Sequence, residues 1–235
     1  MEIINQKYYH IQRNPTWIAG DEYEFEENMN PFSEYIYKNG TNCEGRNINT
    51  GKGIFLNPIN IADEILKVNK DGQEKDTLIK DYMDYDPYNV IKILKQTVIE
   101  FMKFSREEIF EAIRKEKFPE KPSRKNCIWL IEDNIDAVNY WWDKLNKNSQ
   151  KLFEVEITGN IHIADQGYLA LSSDPLNIIK EKAEEYWKSN KPETSTMNEC
   201  VFTGKLKVIS EKDIADFRKT PASTSVSLVN ANKIT

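Results

Sequence analysis

Apolar positions follow two rhythms along this chain, one of period two and one of three to four residues. Residues 7–12, with Tyr8, Tyr9, His10 and Ile11, read as a short aromatic strand. Residues 13–56 are rich in Asn, Gly and acidic side chains and read as loop, with a brief strand at Ile54, Phe55 and Leu56. Ile61, Ile65, Leu66 and Val68 share much of one helical face, and a polar loop follows over 69–75. From Pro87 to about Phe104, Val90, Ile91, Leu94, Val98, Phe101 and Met102 recur at three- and four-residue steps, the pattern of a helix. Ser105-Arg106-Glu107-Glu108 then has the form of a capping box, in which the Ser oxygen and Glu108 satisfy free backbone N–H groups. The helix it would open carries Ile109, Phe110 and Ile113 and ends before Pro119. Residues 57–118 are thus expected to be a helical insert.

The second half alternates strands and helices more evenly. Cys127–Ile131 reads as a strand, and Asp133 or Asn134 is expected to cap a helix running through Trp141 to Leu145. Lys151–Ile157 alternates, with Phe153, Val155 and Ile157 on one side; a turn at Thr158-Gly159 and a strand over Asn160–Ala164 follow. Asp174-Pro175 predicts a cap and first turn for a helix reaching towards Trp187. Val201–Ile209 is another strand, with Phe202, Leu206 and Val208 on alternate positions. The class is α+β. The polar segment 221–235 reads as a marginally ordered tail.

Composition narrows the function classes. Aromatic residues make up 11% of the 235 positions, which argues against disorder, and the length suffices for a sizeable core. A net charge of −6 disfavours a duplex-coating protein. Nucleic acid is expected only through a local basic patch around Arg114, Lys115, Lys117, Lys121, Arg124 and Lys125. No apolar run approaches the ~20 residues that cross a bilayer, and Met1–Asn5 lacks the basic flank of a leader, so a cytoplasmic protein without a membrane partner is expected. Cys43, Cys127 and Cys200 are widely spaced and odd in number, a pattern of reduced thiols. With only His10 and His162 beside them, no metal dependence is expected.

Gly45–Gly53 approaches a phosphate-binding loop but has one residue too many between its glycines, and Gly53 stands where Ser or Thr would hold a metal. The acidic run of Asp21, Glu22, Glu24, Glu26 and Glu27 reads as solvated charge. His10 shares its strand with Tyr8, Tyr9, Gln12 and Arg13, side chains with polar tips that suit a cleft. Trp129 lies on a strand ahead of the helix bearing Trp141 and Trp142, and Glu199 stands just before a late strand.

That order of elements resembles the ADP-ribosyltransferase superfamily, in particular its small bacterial branch that includes the rifampin ADP-ribosyltransferases. The resemblance implies a single domain over 1–220, with a split antiparallel β core and the helical insert between the first strand and the later ones. It implies NAD as substrate. His10 would hold a ribose hydroxyl beside Tyr9, Arg13 or Arg124 would lie near the phosphates, and Trp129 would stack on nicotinamide where the family commonly has tyrosine. Glu199 would be the catalytic carboxylate, with Asp165 as the alternative. The acceptor (protein, nucleic acid or small molecule) is left open. A rival of another class is a non-catalytic inhibitor or adaptor, binding a protein through an acidic surface with Trp141, Trp142, Tyr186 and Trp187 exposed.

Overall fold

A computed structural model of the chain describes residues 1–26, 28–39, 43–46, 53–56, 87–145, 149–170, 174–189 and 197–218. Seven strands and five helices are assigned among them: β1 Glu2–Gln12, β2 Glu22–Phe25, α1 Pro31–Asn39, β3 Cys43–Arg46, β4 Gly53–Leu56, α2 Pro87–Lys117, β5 Ile128–Glu132, α3 Ile135–Leu145, β6 Lys151–Asp165, α4 Leu176–Lys188, β7 Asn198–Lys212 and α5 Ile214–Arg218. The fold is α+β, with an antiparallel five-stranded sheet ordered β2-β7-β5-β1-β6. A further pairing of β7 with β6 closes four of these strands into a ring.

Closure sorts side chains by parity. The ring interior takes Tyr8, Ile128, Leu130, Phe153, Val155, Ile157, Ile161, Ile163, Cys200, Phe202, Leu206 and Val208, all buried. Residues of opposite parity face outward beneath helices. One outer layer packs Trp129, Ala164 and Val201 under α2 and α4, through Phe110, Ile113, Ala183, Tyr186 and Trp187. The other packs Tyr9, Ile11, Ile131 and Leu152 under α3 and α5. No helix among the described residues is long and apolar enough to cross a membrane.

Several local expectations differ from what is observed. Residues 31–39, read as loop, form α1. Asn30 accepts the Ser33 N–H at 2.9 Å, Pro31 fills the first helical position and Ile36 is buried. The expected break at Ser105 is absent, and α2 runs unbroken for 31 residues because no glycine or proline interrupts it. Asn134, of the two candidates, caps α3 by accepting from the Asp136 N–H at 2.8 Å. Asp174 does not cap α4; it pairs with Lys182 at 2.5 Å, and Pro175 sits at the cap position without a side-chain bond. The expected helix at 61–68, the rest of the insert before Pro87 and the tail lie outside the described residues, as does the middle of the glycine loop at 47–52, whose flanks pair as β3 and β4.

The expected turn at Thr158-Gly159 is instead mid-strand. β6 continues through it for 15 residues, and Gly159 pairs with Gly204 of β7. Their φ angles are +154° and +126°, and a Cβ on Gly159 would lie 2.3 Å from the Thr203 carbonyl oxygen. Two glycines therefore let the longest strands approach closely where Phe202 packs over the pair. Gly159→Ala is expected to destabilise the protein by about 3 kcal/mol, lowering Tm by roughly 6–12 °C in thermal unfolding. An unchanged Tm would contradict this crossing.

Candidate functional site

Glu199 lies at the start of β7 on the outer face, cross-strand from Ala164. The space above it is filled by Tyr186 of α4 and by Arg124, which sits in the segment between α2 and β5. Both are buried, and so is Glu107 of α2. Arg124 Nε donates to Glu107 Oε2 at 2.9 Å, and Nη2 donates to Glu107 Oε1 at 3.3 Å. Its Nη1 donates to Tyr186 Oη at 3.0 Å and also to Glu199 Oε2. The Tyr186 hydroxyl in turn donates to the same Glu199 oxygen at 2.7 Å. Arg106 adds a second cation on Glu107, at 2.7 Å through Nη2. The four charges cancel within a space from which water is largely excluded, as a buried ionic cluster requires.

Burial alone would push the Glu107 carboxyl up, but Arg124 and Arg106 outweigh it and hold the group down near about 2. Arg124 is kept charged for the same reason in reverse, its two carboxylates overcoming burial. Burial, followed by the Glu199 charge, pushes the Tyr186 phenol well above its ordinary range, so it stands as a neutral donor. Glu199 Oε2 thus receives two donors, whereas Oε1 has no partner among the described residues. Trp129 shares this outer face, one strand away and paired with Val201; its indole N–H is buried and unpartnered. Phe32 of α1 meets its ring at 5.8 Å in a T-shaped contact.

The remaining expected site residues lie elsewhere. His10 points into the ring interior: it pairs with Phe153, packs on Trp17 at 4.7 Å, and its Nδ1 bonds the Trp129 carbonyl at 2.9 Å. Trp17 stacks on Tyr23, and Asp21 secures that turn by accepting from the Tyr23 hydroxyl and the Ile18 N–H. His10 and Glu199 therefore occupy opposite faces of the sheet. Tyr9 is core, in T-shaped contact with Phe217 at 5.2 Å. Arg13 follows the end of β1, where its carbonyl accepts the Ser149 hydroxyl at 2.9 Å. Asp165 ends β6 and caps the 3-10 turn of residues 166–169 through the Gly167 N–H. Of the seven expected residues, Glu199, Arg124 and Trp129 come to one face.

The basic run is largely neutralised by neighbours: Arg114 pairs with Glu111, Lys117 with Glu184, and Lys125 with Glu108. Cys127 and Cys200 are buried and form no disulfide, and no group of three or more His, Cys, Asp or Glu that could hold a metal occurs among the described residues. Glu107 and Tyr186 were missed as site residues. Their signal is an acidic residue on the buried face of α2 beside Phe110, and a hydroxyl between Ala183 and Trp187 on the apolar face of α4.

Residues 8–216 match a family model described as a protein of unknown function (DUF2441). The chain belongs to that family. A search of curated proteins finds no match. The matched span runs from Tyr8 of β1 to Asp216 of α5, so the DUF2441 unit takes in the strand ring, all three buried layers and the Arg124 cluster.

Arg124→Met strands two carboxylates and is expected to cost about 3–5 kcal/mol in denaturant unfolding, against less than about 1 kcal/mol for Lys7→Met at an exposed pair. Equal losses would contradict the cluster. Burial lowers His10 to about 4 and His162 to about 3, from an ordinary 6.5. Between those values the unfolded chain binds more protons, so stability is expected to fall as pH drops below 6.5, with Glu107 adding its share from 4.5 down towards 2. His10→Asn should flatten the part of that slope between about pH 6.5 and 4, read by Tm across buffers.

Proposed function

We propose that the protein is a cytoplasmic ADP-ribosyltransferase, moving ADP-ribose from NAD to an acceptor with Glu199 as the carboxylate at the reacting sugar. The observation that carries this reading is the gathering of Glu199, Arg124 and Trp129, distant in sequence, on one face of the sheet, with one Glu199 oxygen held by two donors and the other without a partner among the described residues. In such a transfer the bond between ribose and nicotinamide breaks, nicotinamide leaves neutral with the electron pair, and positive charge spreads over the ribose as an oxocarbenium ion. The acceptor's nucleophile bonds to the same carbon and releases its proton. A fixed carboxylate helps by taking the ribose hydroxyl and stabilising the cation, and an indole offers a flat face to nicotinamide. The acceptor chemistry is open among protein side chain, nucleic-acid base and small-molecule hydroxyl.

A second reading, a non-catalytic protein-binding module, is favoured by one observation: His10 and Glu199 face opposite sides, so the nucleotide loses one of its expected holders. The expected aromatic surface is not formed, since Tyr186 and Trp187 are fully buried and Trp141 and Trp142 of α3 pack, partly buried, against the outer layer of Tyr9, Ile11, Ile131 and Leu152. The exposed apolar stripe is on α2, at Ile91, Leu94, Val98 and Phe101.

The test is NAD consumption by the purified protein. Glu199→Gln is expected to lower turnover by at least ~100-fold, the scale of losing one electrostatic stabiliser. His10→Ala separates two roles: lost turnover at unchanged Tm places the imidazole at the nucleotide, and lost turnover with lowered Tm marks it as support for Trp129. A wild-type protein that consumes no NAD and forms a stable complex with another protein would establish the second reading.

A further inference from the structure

We infer that Tyr186 is a positioning residue for Glu199: with Arg124 it fixes Oε2 and leaves Oε1 as the oxygen that meets the ribose hydroxyl. The inference rests on the ADP-ribosyltransferase reading and names a residue which that reading does not use. Its ground is geometric. The Tyr186 ring is fully buried and held on three sides, by Phe110 at 5.3 Å, His162 at 5.2 Å and Trp187 at 4.8 Å between centroids. Its backbone carbonyl is bonded by His162 Nε2 at 2.9 Å. Neither ring nor backbone has room to turn, so the hydroxyl has one place to be. There it accepts from Arg124 Nη1 and spends its own proton on Glu199 Oε2.

Arg124 is equally constrained. Glu107 takes its Nε and Nη2, so the guanidinium meets Glu199 and Tyr186 through Nη1 alone. Two donors converging on one carboxylate oxygen hold the group against rotation about its last torsion, which is otherwise broad. They also make the two oxygens inequivalent: Oε2 is already donated to, and Oε1 keeps its lone pairs for a ligand's hydroxyl. Preorganisation of this kind lowers the barrier without tightening ground-state binding, so it is read in kcat rather than KM.

The experiment is steady-state NAD turnover by Tyr186→Phe in the full chain, beside a core control, Val138→Ala, placed in the other outer layer. Phenylalanine keeps the ring packing and removes only the hydroxyl. The expected result is a kcat lowered on the order of tenfold, the scale of one hydrogen bond to a charged group, with KM for NAD changed less than about twofold. Val138→Ala should lower Tm at least as far and leave kcat unchanged below its melting range. Wild-type kcat in Tyr186→Phe, or an equal loss of kcat in the core control, overturns the inference while NAD turnover still stands. Absence of turnover in the wild type removes the reading and this role with it.

Discussion

The guanidinium of Arg124 is the constraint on which the rest of the site depends. It is buried, so its charge must be met within hydrogen-bond reach, and the two carboxylates that meet it come from different elements: Glu107 from α2 and Glu199 from β7. Tyr186 adds α4. One cation thereby sets the relative placement of two helices and a strand, in a layer whose apolar members alone (Phe110, Ala183, Trp187, Val201) would tolerate sliding. Apolar packing supplies most of the driving force and the charge supplies the register. The arrangement is costly to break from one side only, because any single removal leaves an opposite charge in a dry environment.

Strand parity then decides which chemistry can cooperate. Neighbouring residues on a strand face opposite ways, so His10 and Tyr9 belong to different cores although adjacent in sequence, and Glu199 and Cys200 likewise. His10 nevertheless reaches the outer face indirectly. Its bond to the Trp129 carbonyl steadies the strand that carries the indole. The imidazole and the carboxylate are linked through β5 rather than through a shared ligand.

The strands and helices of the second half were largely legible in the amino-acid sequence because their periodicities are clean, as in Phe153, Val155 and Ile157. The convergence of Arg124 with Glu199 was less so: it rests on long-range contacts across 75 positions that no local pattern records. Three local readings failed for identifiable reasons. Glycine commonly marks a turn, yet Gly159 serves close strand approach with Gly204. Ser105 and its neighbours mimic a cap, yet a 31-residue helix whose only proline is its first residue, Pro87, and which has no glycine absorbs a single serine. The polar composition around α1 obscures Asn30-Pro31, a cap followed by a fitting first residue. Likeness to a family groups His10 with Glu199, whereas strand parity places them on opposite faces.

Ring closure has a consequence for behaviour in concentrated solution. A sheet that pairs with itself offers few unpaired backbone groups on which another molecule's strand could template. Among the described residues the edges of the large sheet include β2 and the first half of β1, beside the end of β6 past Asn160. The first is four residues long and bears Glu22 and Glu24; the second is broken between Ile3 and Gln6 by an irregularity at Asn5, whose φ is +47°. Short length, like charge and a kink are the features that discourage edge-to-edge stacking, so the large sheet resists growing into fibrils as long as the ring stays shut.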